Sequence, residues 1–142
     1  MRVKVLDFGV AKLCGSMSDC STRTQTGVVL GTPQYMSPEQ CLGVPDTIDH
    51  RTDIYALGTI LYEMLCGQVP FVRKGIGEIL ICQVFECPAP LRSQVPEIPD
   101  LLQSAVLRAL AKNPEERFAC MRDFARMLHD AVPGTACTAD LA

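Results

Sequence analysis

Residues 52–67, T-D-I-Y-A-L-G-T-I-L-Y-E-M-L-C-G, are the stretch that decides the fold. They predict one helix, with Thr52 capping its start and Gly67 ending it. Asp53 suits the first turn, and beyond it the clearly polar side chains are Thr59 and Glu63, which lie one turn apart and form a narrow polar stripe. The stretch is too short for a membrane span, and a helix so apolar elsewhere needs protein neighbours on several sides. We therefore predict that this helix is the buried hub of a globular domain.

The composition is that of an ordinary globular chain. At 142 residues it is one domain by size, and 48% hydrophobic against 20% charged residues is typical of a soluble domain. The formal net charge is −3 and no local basic cluster occurs, which argues against a nucleic-acid binder. We expect no nucleic-acid partner and no membrane segment in this chain.

The cysteines indicate the compartment. There are eight, which is many, but no two of them form a C-x-x-C pair. Several lie in apolar helical stretches, and the opening residues resemble a signal peptide only until Asp7 interrupts them. We expect reduced thiols that act as small core hydrophobes in a cytoplasmic protein. With two histidines as imidazole partners, we do not expect a zinc site.

Upstream of the hub helix the sequence is mostly irregular. Val3–Leu6 is a short β-like segment, and the hydroxyl-rich stretch 14–27 has no periodicity, which predicts a loop. Two prolines and a glycine exclude regular structure through most of residues 31–39. A short helix is predicted at the end of that segment, with Ser37 as its cap and Pro38 as its first residue.

Downstream of the hub, three further helices are predicted. One spans about 76–85, and the next begins at a capping Asp100 and runs to about Lys112, stopped by the following Asn-Pro. Four prolines make residues 87–99 an extended connection. The predicted buried face of the second helix comprises Leu101, Leu102, Ala105, Val106, Ala109 and Leu110. The last helix carries Met121, Phe124, Ala125 and Leu128 at helical spacing.

An ordered set of motifs runs along the chain. It comprises D-F-G at 7–9, G-T-P-Q-Y-M-S-P-E at 31–39, D-I-Y-A-L-G at 53–58 and a distant arginine at 117. In this order the motifs resemble the C-terminal lobe of a bacterial eukaryotic-like (Hanks-type) serine/threonine protein kinase, from Val3 to about Leu128. The resemblance implies a mainly α, protein-kinase-like C-terminal lobe fragment with a short β segment at the N-terminus. It implies a partial kinase domain at 1–131 and a disordered tail at 132–142.

The resemblance implies nucleotide and phosphorylation sites in the first third of the chain. Asp7 would bind Mg²⁺ against the phosphates of ATP, Phe8 would set active or inactive geometry, and Gly9 would allow a sharp backbone change. Thr24 and Thr26 lie where related bacterial kinases autophosphorylate, and a phosphate there can order a loop against arginines. A solvated hydroxyl-rich loop without modification remains an alternative.

Further roles follow around residues 31–39, where a protein substrate would bind. Thr32 in its G-T-x-x-Y setting indicates serine/threonine specificity, and its hydroxyl would hydrogen-bond the catalytic aspartate. Glu39, in S-P-E, would form a buried ion pair with Arg117 that pins the substrate loop to the last helices. Asp53 would hold the backbone of the catalytic loop. A plain helix cap at Asp53 and a surface charge at Arg117 are the alternatives.

Several kinase motifs do not occur in this sequence. It contains no Gly-rich loop, no third-strand lysine with its glutamate partner and no H-R-D catalytic loop. The dipeptide His50-Arg51 is followed by threonine and lies beyond the substrate loop. We expect ATP and Mg²⁺ to serve the complete kinase and this chain alone to be inactive. Three hypotheses stay open: part of a serine/threonine kinase, a pseudokinase-like protein-binding module, or a non-functional remnant. If the chain exists alone, we expect an exposed apolar flank on the hub helix and poor stability.

Overall fold

The computed structural model describes residues 32–43 and 47–132, which are mainly helical, and no strand occurs within those ranges. The α-helices in chain order are α1 (Pro38–Leu42), α2 (Arg51–Cys66), α3 (Ile76–Phe85), α4 (Asp100–Ala109) and α5 (Met121–Ala131). Short 3₁₀ turns lie at Pro33–Tyr35, Leu91–Ser93 and Pro114–Glu116. The β segment predicted at Val3–Leu6 and the tail predicted beyond residue 132 lie outside the described residues.

The hub helix α2 ends as predicted but begins differently. Gly67 adopts φ 74°, a left-handed conformation that closes the helix with a backbone hydrogen bond. The predicted cap at Thr52 is wrong, because the helix starts one residue earlier, at Arg51. The Asp49 carboxylate accepts the Arg51 backbone N–H at 2.8 Å. The Thr52 hydroxyl points inward instead and donates to Glu39.

Two clusters of apolar side chains pack α2 against the rest of the fold. One contains Tyr55, Tyr62, Leu91, Ile98, Val106 and Leu110. The other contains Ile54, Ala105, Ala109, Phe118 and Phe124. Gly58 lets α4 approach closely, since a Cβ there would lie 2.9 Å from the Cβ of Ala109. The core therefore lies where α2 meets α4 and α5.

One flank of α2 stays open. Ile60 and Met64 lie one turn apart and are 42% and 74% exposed. The hub is therefore not enclosed on all sides, and the expected exposed apolar flank is present.

The downstream helices confirm part of the sequence interpretation. The bounds of α3 match the predicted 76–85, and Ile79 is buried there, whereas Ile76 is exposed. In α5, Phe124 is buried and stacks on Phe118 with ring centroids 4.9 Å apart, while Ala125 is exposed. Within the described ranges, no helix has both the length and the apolar character needed to cross a membrane.

The prediction for α4 was wrong at both ends. Asp100 is the first helical residue rather than the cap, and its carboxylate pairs with Arg92. Leu101, expected on the buried face, is 43% exposed. The helix ends at Ala109 rather than near residue 112. Beyond that point the Arg117 side chain donates hydrogen bonds to the carbonyls of Ala111 and Lys112. Because Arg117 supplies donors to these carbonyls, they are satisfied without further helical N–H groups, and the 3₁₀ turn Pro114–Glu116 follows.

Candidate functional site

The candidate site is built on residues 32–39, which we call the 32–39 loop. The loop carries the 3₁₀ turn Pro33–Tyr35, in which the Tyr35 N–H donates to the Thr32 carbonyl at 3.0 Å. It then enters α1 through the predicted cap, where Ser37 and Gln40 bond reciprocally to each other's backbone N–H. Ser37 is fully buried, so the end of the loop is fixed inside the fold.

A buried ion pair joins the end of the loop to the segment before α5. The two terminal nitrogens of Arg117 donate to the two carboxylate oxygens of Glu39, each at 2.8 Å. The arginine side chain is 0% exposed and the glutamate side chain 5%. The two residues are 78 positions apart, so this bidentate contact closes a long stretch of chain. It brings together the Glu39 and Arg117 that the sequence motifs relate.

The surroundings satisfy the arginine fully. Arg117 Nε donates to the Ala111 carbonyl at 2.8 Å, and the remaining N–H groups donate to the carbonyls of Arg51 at 3.1 Å and Lys112 at 3.2 Å. With the two bonds to Glu39, all five guanidinium N–H groups have acceptors. Because a buried guanidinium is costly unless every donor is paired, this site holds one side-chain geometry.

The charge of Glu39 is stabilised against its burial. Burial by itself raises the pKa of the Glu39 carboxyl, but hydrogen bonds from Arg117, the Glu39 backbone and Thr52 outweigh it. The Thr52 hydroxyl donates at 2.8 Å to the same oxygen that Arg117 Nη1 reaches. The pKa therefore lies below its ordinary value, and Glu39 stays ionised at neutral pH.

A second contact joins the loop to the polar stripe of α2. The Tyr35 hydroxyl donates to the Glu63 carboxylate at 2.6 Å. This short bond to a carboxylate raises the pKa of Tyr35. Thr59, the other polar residue of the stripe, is fully buried and its hydroxyl donates to the Tyr55 carbonyl at 3.2 Å. Glu63 is thus part of the loop support, whereas Thr59 is bonded within α2.

A third contact reaches the loop from α3. Gln83 is 1% exposed, and its side-chain nitrogen donates to the carbonyls of Pro33 at 3.1 Å and Gln34 at 2.7 Å. Its side-chain oxygen accepts the Tyr55 hydroxyl at 2.5 Å. One amide therefore connects three segments: α3, the hub helix and the turn of the loop.

Lys112 completes this polar group from the segment after α4. Its ammonium donates to the Gln83 carbonyl at 2.8 Å and, at 3.3 Å each, to the Cys82 carbonyl and the Tyr55 hydroxyl. It also lies 4.4 Å from the centre of the Phe71 ring. Burial lowers the pKa of Lys112 to about 8.

The structure places two other predicted residues at the surface. Thr32 is exposed, and its side chain does not cap the following 3₁₀ turn. Asp53 is exposed in the first turn of α2. The remaining predicted site residues lie outside the described residues: Asp7, Phe8, Gly9, Thr24 and Thr26. Within residues 32–43 and 47–132, no three His, Cys, Asp or Glu side chains converge as a metal ion requires.

The sequence reasoning missed Tyr35, Gln83 and Lys112. A signal existed for Gln83, since it lies one turn from the buried Ile79 on a helix that is otherwise apolar on that face. Tyr35 and Glu63 have no sequence spacing that would relate them, because they are 28 residues apart. Lys112 had no signal that distinguishes it from a solvated lysine.

Comparison with known proteins identifies what this architecture is similar to. Residues 1–128 match the family model described as the protein kinase domain. The serine/threonine-protein kinase Pkn1 of Myxococcus xanthus is 42% identical over 130 residues, covering 92% of this chain and 18% of Pkn1. The serine/threonine-protein kinase PknB of Mycobacterium leprae is 44% identical over 116 residues, covering 82% of this chain and 18% of PknB.

A solved structure shares the fold. The crystal structure of the Mycobacterium tuberculosis PknI kinase domain, C20A mutant, matches with a TM-score of 0.53 and 28% sequence identity. The match covers 68% of this chain and 33% of that one. This chain therefore spans about a third of the solved kinase domain, and 18% of the length of the curated relatives Pkn1 and PknB.

Proposed function

The chain belongs to the protein kinase domain family, and we propose that it is the substrate-binding part of a serine/threonine kinase. The proposed reaction is transfer of the γ-phosphoryl group of ATP to a serine or threonine hydroxyl of a protein. The observation that carries the proposal is the buried Glu39–Arg117 ion pair, which fixes the end of the 32–39 loop. A fixed loop supports this function, because phosphoryl transfer depends mainly on positioning and electrostatic stabilisation.

We assign the roles within the proposed reaction as follows. The 32–39 loop would bind the substrate segment that follows the phosphoacceptor residue. The exposed Thr32 hydroxyl, which does not cap the following turn, would hydrogen-bond the catalytic aspartate of the complete kinase. Asp53 would hold the backbone of the catalytic loop, and Thr24 and Thr26 would be phosphorylated.

The nucleotide side of the reaction is proposed on sequence motifs. Asp7 would bind the Mg²⁺ that accompanies ATP, with Phe8 and Gly9 setting the geometry of that segment. When bound, Mg²⁺ would neutralise charge on the phosphates.

We propose that these 142 residues by themselves do not transfer phosphate. The sequence contains no H-R-D loop, Gly-rich loop or third-strand lysine, and these groups orient the hydroxyl and bind the nucleotide. ATP with Mg²⁺ should therefore leave the melting temperature of the isolated chain unchanged. A clear thermal shift would contradict this part of the proposal.

The test of the kinase assignment uses the full-length protein as its gene encodes it. We expect Mg²⁺-dependent transfer from labelled ATP to serine or threonine of a protein substrate, and loss of transfer in Asp7→Asn. Transfer to tyrosine, or no transfer by a full-length protein that contains an H-R-D loop, would overturn the assignment. Reading the DNA upstream in all frames for H-R-D and a Gly-rich loop is the corresponding genetic observation.

A second candidate is a protein-binding module of pseudokinase type. It is favoured by the apolar side chains that α3 exposes, of which Ile81 is 61% and Phe85 78% exposed. A binding module requires a fixed surface, so it predicts a cooperative melt for the isolated chain. A molten species that binds hydrophobic dye would exclude it. Under either function we propose a cytoplasmic protein. We also propose that it has no nucleic-acid partner, which the net charge of −3 supports.

A further inference from the structure

We propose that Gln83 is a positioning residue whose side-chain amide fixes the backbone of the 32–39 loop relative to α2 and α3. The loop is the one to which the proposed function assigns substrate binding, so the consequence for substrate affinity rests on that function. We call the hydrogen bonds from the Gln83 amide to the Pro33 and Gln34 carbonyls the clamp, and they rest on geometry alone.

The Gln83 amide is buried, and burial of an amide is costly unless its polar groups are paired. Gln83 is 1% exposed on α3, beside the apolar Ile79 and Cys82, where an unpaired amide would be strongly unfavourable. Its side-chain polar groups are instead paired: both N–H groups with loop carbonyls and the oxygen with the Tyr55 hydroxyl. The side chain therefore has one arrangement that satisfies it, and the loop is part of that arrangement.

The hydrogen-bond partners of the Gln83 amide fix its orientation. Two carbonyl oxygens, those of Pro33 and Gln34, face the side-chain nitrogen at 3.1 and 2.7 Å. Exchanging the nitrogen and oxygen would set an acceptor against both carbonyls and break both bonds. A glutamate or a methionine of similar length cannot replace these two donors. The position requires an amide for a directional reason rather than for its volume.

Besides the Gln83 amide, the turn is held by the Tyr35 hydroxyl bond to Glu63 and by two backbone bonds of its own. Within residues 32–36 the backbone bonds are Tyr35 N–H to Thr32 at 3.0 Å and Met36 N–H to Pro33 at the longer distance of 3.3 Å. A proline has no N–H of its own to contribute. A single 3₁₀ turn is a weak element, so bonds from outside the loop decide its position.

Lys112 makes the clamp rigid from behind. Its ammonium binds the backbone carbonyl of Gln83 near the C-terminal end of α3, where helical carbonyls lack intrahelical partners. It also binds the Cys82 carbonyl, which accepts the Glu86 N–H as well. It also donates to the Tyr55 hydroxyl, whose own proton goes to Gln83. The backbone and the side chain of Gln83 are therefore both tied down, and the loop inherits that fixed position.

Amide hydrogen exchange tests the clamp in the full-length protein. We expect Gln83→Met to speed exchange of the Tyr35 and Met36 amides by about tenfold or more, since two bonds to the turn are lost. Gln68→Met is the matched chemical control, because Gln68 is exposed and bonds the Gln94 side chain. Val106→Ala is the stability control, since Val106 is fully buried in the apolar cluster that packs α2 against α4.

The comparison among variants decides between clamp and general destabilisation. The clamp predicts that Gln83→Met loosens the loop amides more than Val106→Ala does, after exchange in α4 and α5 is used to correct for overall stability. Equal loosening in both variants would overturn the proposal. Where Gln83→Met fails to fold, the side-chain amide protons of Gln83 in the wild type are measured instead. They should exchange at least about tenfold more slowly than those of Gln68, and equal rates would overturn the proposal.

A kinetic readout separates this inference from the proposed function. In a full-length protein that phosphorylates peptides, Gln83→Met should raise the KM for peptide while the KM for ATP stays unchanged. Loop amides that depend on Gln83 in a protein without kinase activity would defeat the proposed function and leave the clamp standing. Kinase activity in a protein whose loop amides do not depend on Gln83 would overturn the clamp and leave the proposed function standing.

Discussion

The side of α2 that faces α4 and α5 is held by apolar contacts, whereas the side that faces the 32–39 loop and α3 is held by hydrogen bonds. On the first side, Ile54 packs with Ala109 and Phe124, and Gly58 lets the two backbones approach. On the second, Thr52, Tyr55 and Glu63 each bond a partner on the loop or on α3. One helix thus presents two different surfaces.

The two surfaces do different work. Apolar burial is not directional and grows with area, so it stabilises the fold without fixing any one atom. Hydrogen bonds contribute less net stability but require particular distances and angles. A loop that must present a substrate in one position is better held by the second kind of contact. We infer that α2 carries stability on one side and loop geometry on the other.

The largest predicted effect is on the polar side. Arg117→Met leaves the Glu39 carboxylate buried without its cation, and removing one partner of a buried pair costs about 3–5 kcal/mol. We expect a loss of this size in the free energy of unfolding by denaturant titration. Arg126→Met is the matched control, because the Arg126 side chain is 68% exposed, and its unfolding midpoint should not change measurably.

The double variant makes the same prediction sharper. Removing both charges with Glu39→Met and Arg117→Met should recover much of the lost stability, because no unpaired buried charge remains. If the double variant is as unstable as the sum of the two single variants, the pair is not coupled and the comparison fails. Recovery of stability without recovery of the loop amide protection would support the separation of roles on α2.

Acid should weaken the polar side before the apolar side. The pKa of the Glu39 carboxyl lies below its ordinary value of 4.5 in the folded chain. As the pH falls below that value, the unfolded chain therefore binds more protons than the folded chain. The stabilisation is present above pH 4.5 and is lost below it. The slope of unfolding free energy against pH should become shallower in Glu39→Gln. Glu115→Gln, at an exposed ion pair with Arg51, should keep more of the wild-type slope.

Local signals in the sequence predicted the helices well. The glycine at 67, the Ser37-Pro38 start of α1 and the apolar spacing of 76–85 each act over a few residues, and the structure confirms all three. The family motifs related Glu39 to Arg117, which periodicity alone could not do. Mainly helical architecture and the protein kinase family were therefore within reach of the sequence.

The errors arose where a distant side chain competes with a local rule. Thr52 looked like a cap, but Glu39 takes its hydroxyl. The end of α4 looked set by Asn-Pro, but Arg117 binds the Ala111 and Lys112 carbonyls and the helix stops earlier. Gln83 was missed for the same reason, since its partners lie about 50 residues away. Contacts of this range have no periodic signature.

The smallest predicted effect tests the apolar side with two glycines in helices. Gly58→Ala puts a Cβ 2.9 Å from the Ala109 Cβ, and crowding of this kind costs about 1–3 kcal/mol. The gain in helix propensity of about 1 kcal/mol offsets part of it. Gly77→Ala in α3 meets nothing within 4 Å, so the same substitution should stabilise by about 0.5–1 kcal/mol. Unfolding by denaturant measures both.

The opposite signs expected for the change in unfolding free energy in Gly58→Ala and Gly77→Ala test whether close packing holds the apolar side of α2. If close approach of α2 and α4 holds the apolar side, Gly58→Ala must destabilise the protein. Exchange of the Tyr35 and Met36 amides should then rise by no more than the loss of global stability accounts for. Stabilisation by both alanines would mean that α4 can move away at no cost. A larger rise in loop amide exchange than the global loss of stability explains would mean that the two sides of α2 are coupled, because a change in the apolar contacts would then weaken the hydrogen bonds that fix the loop.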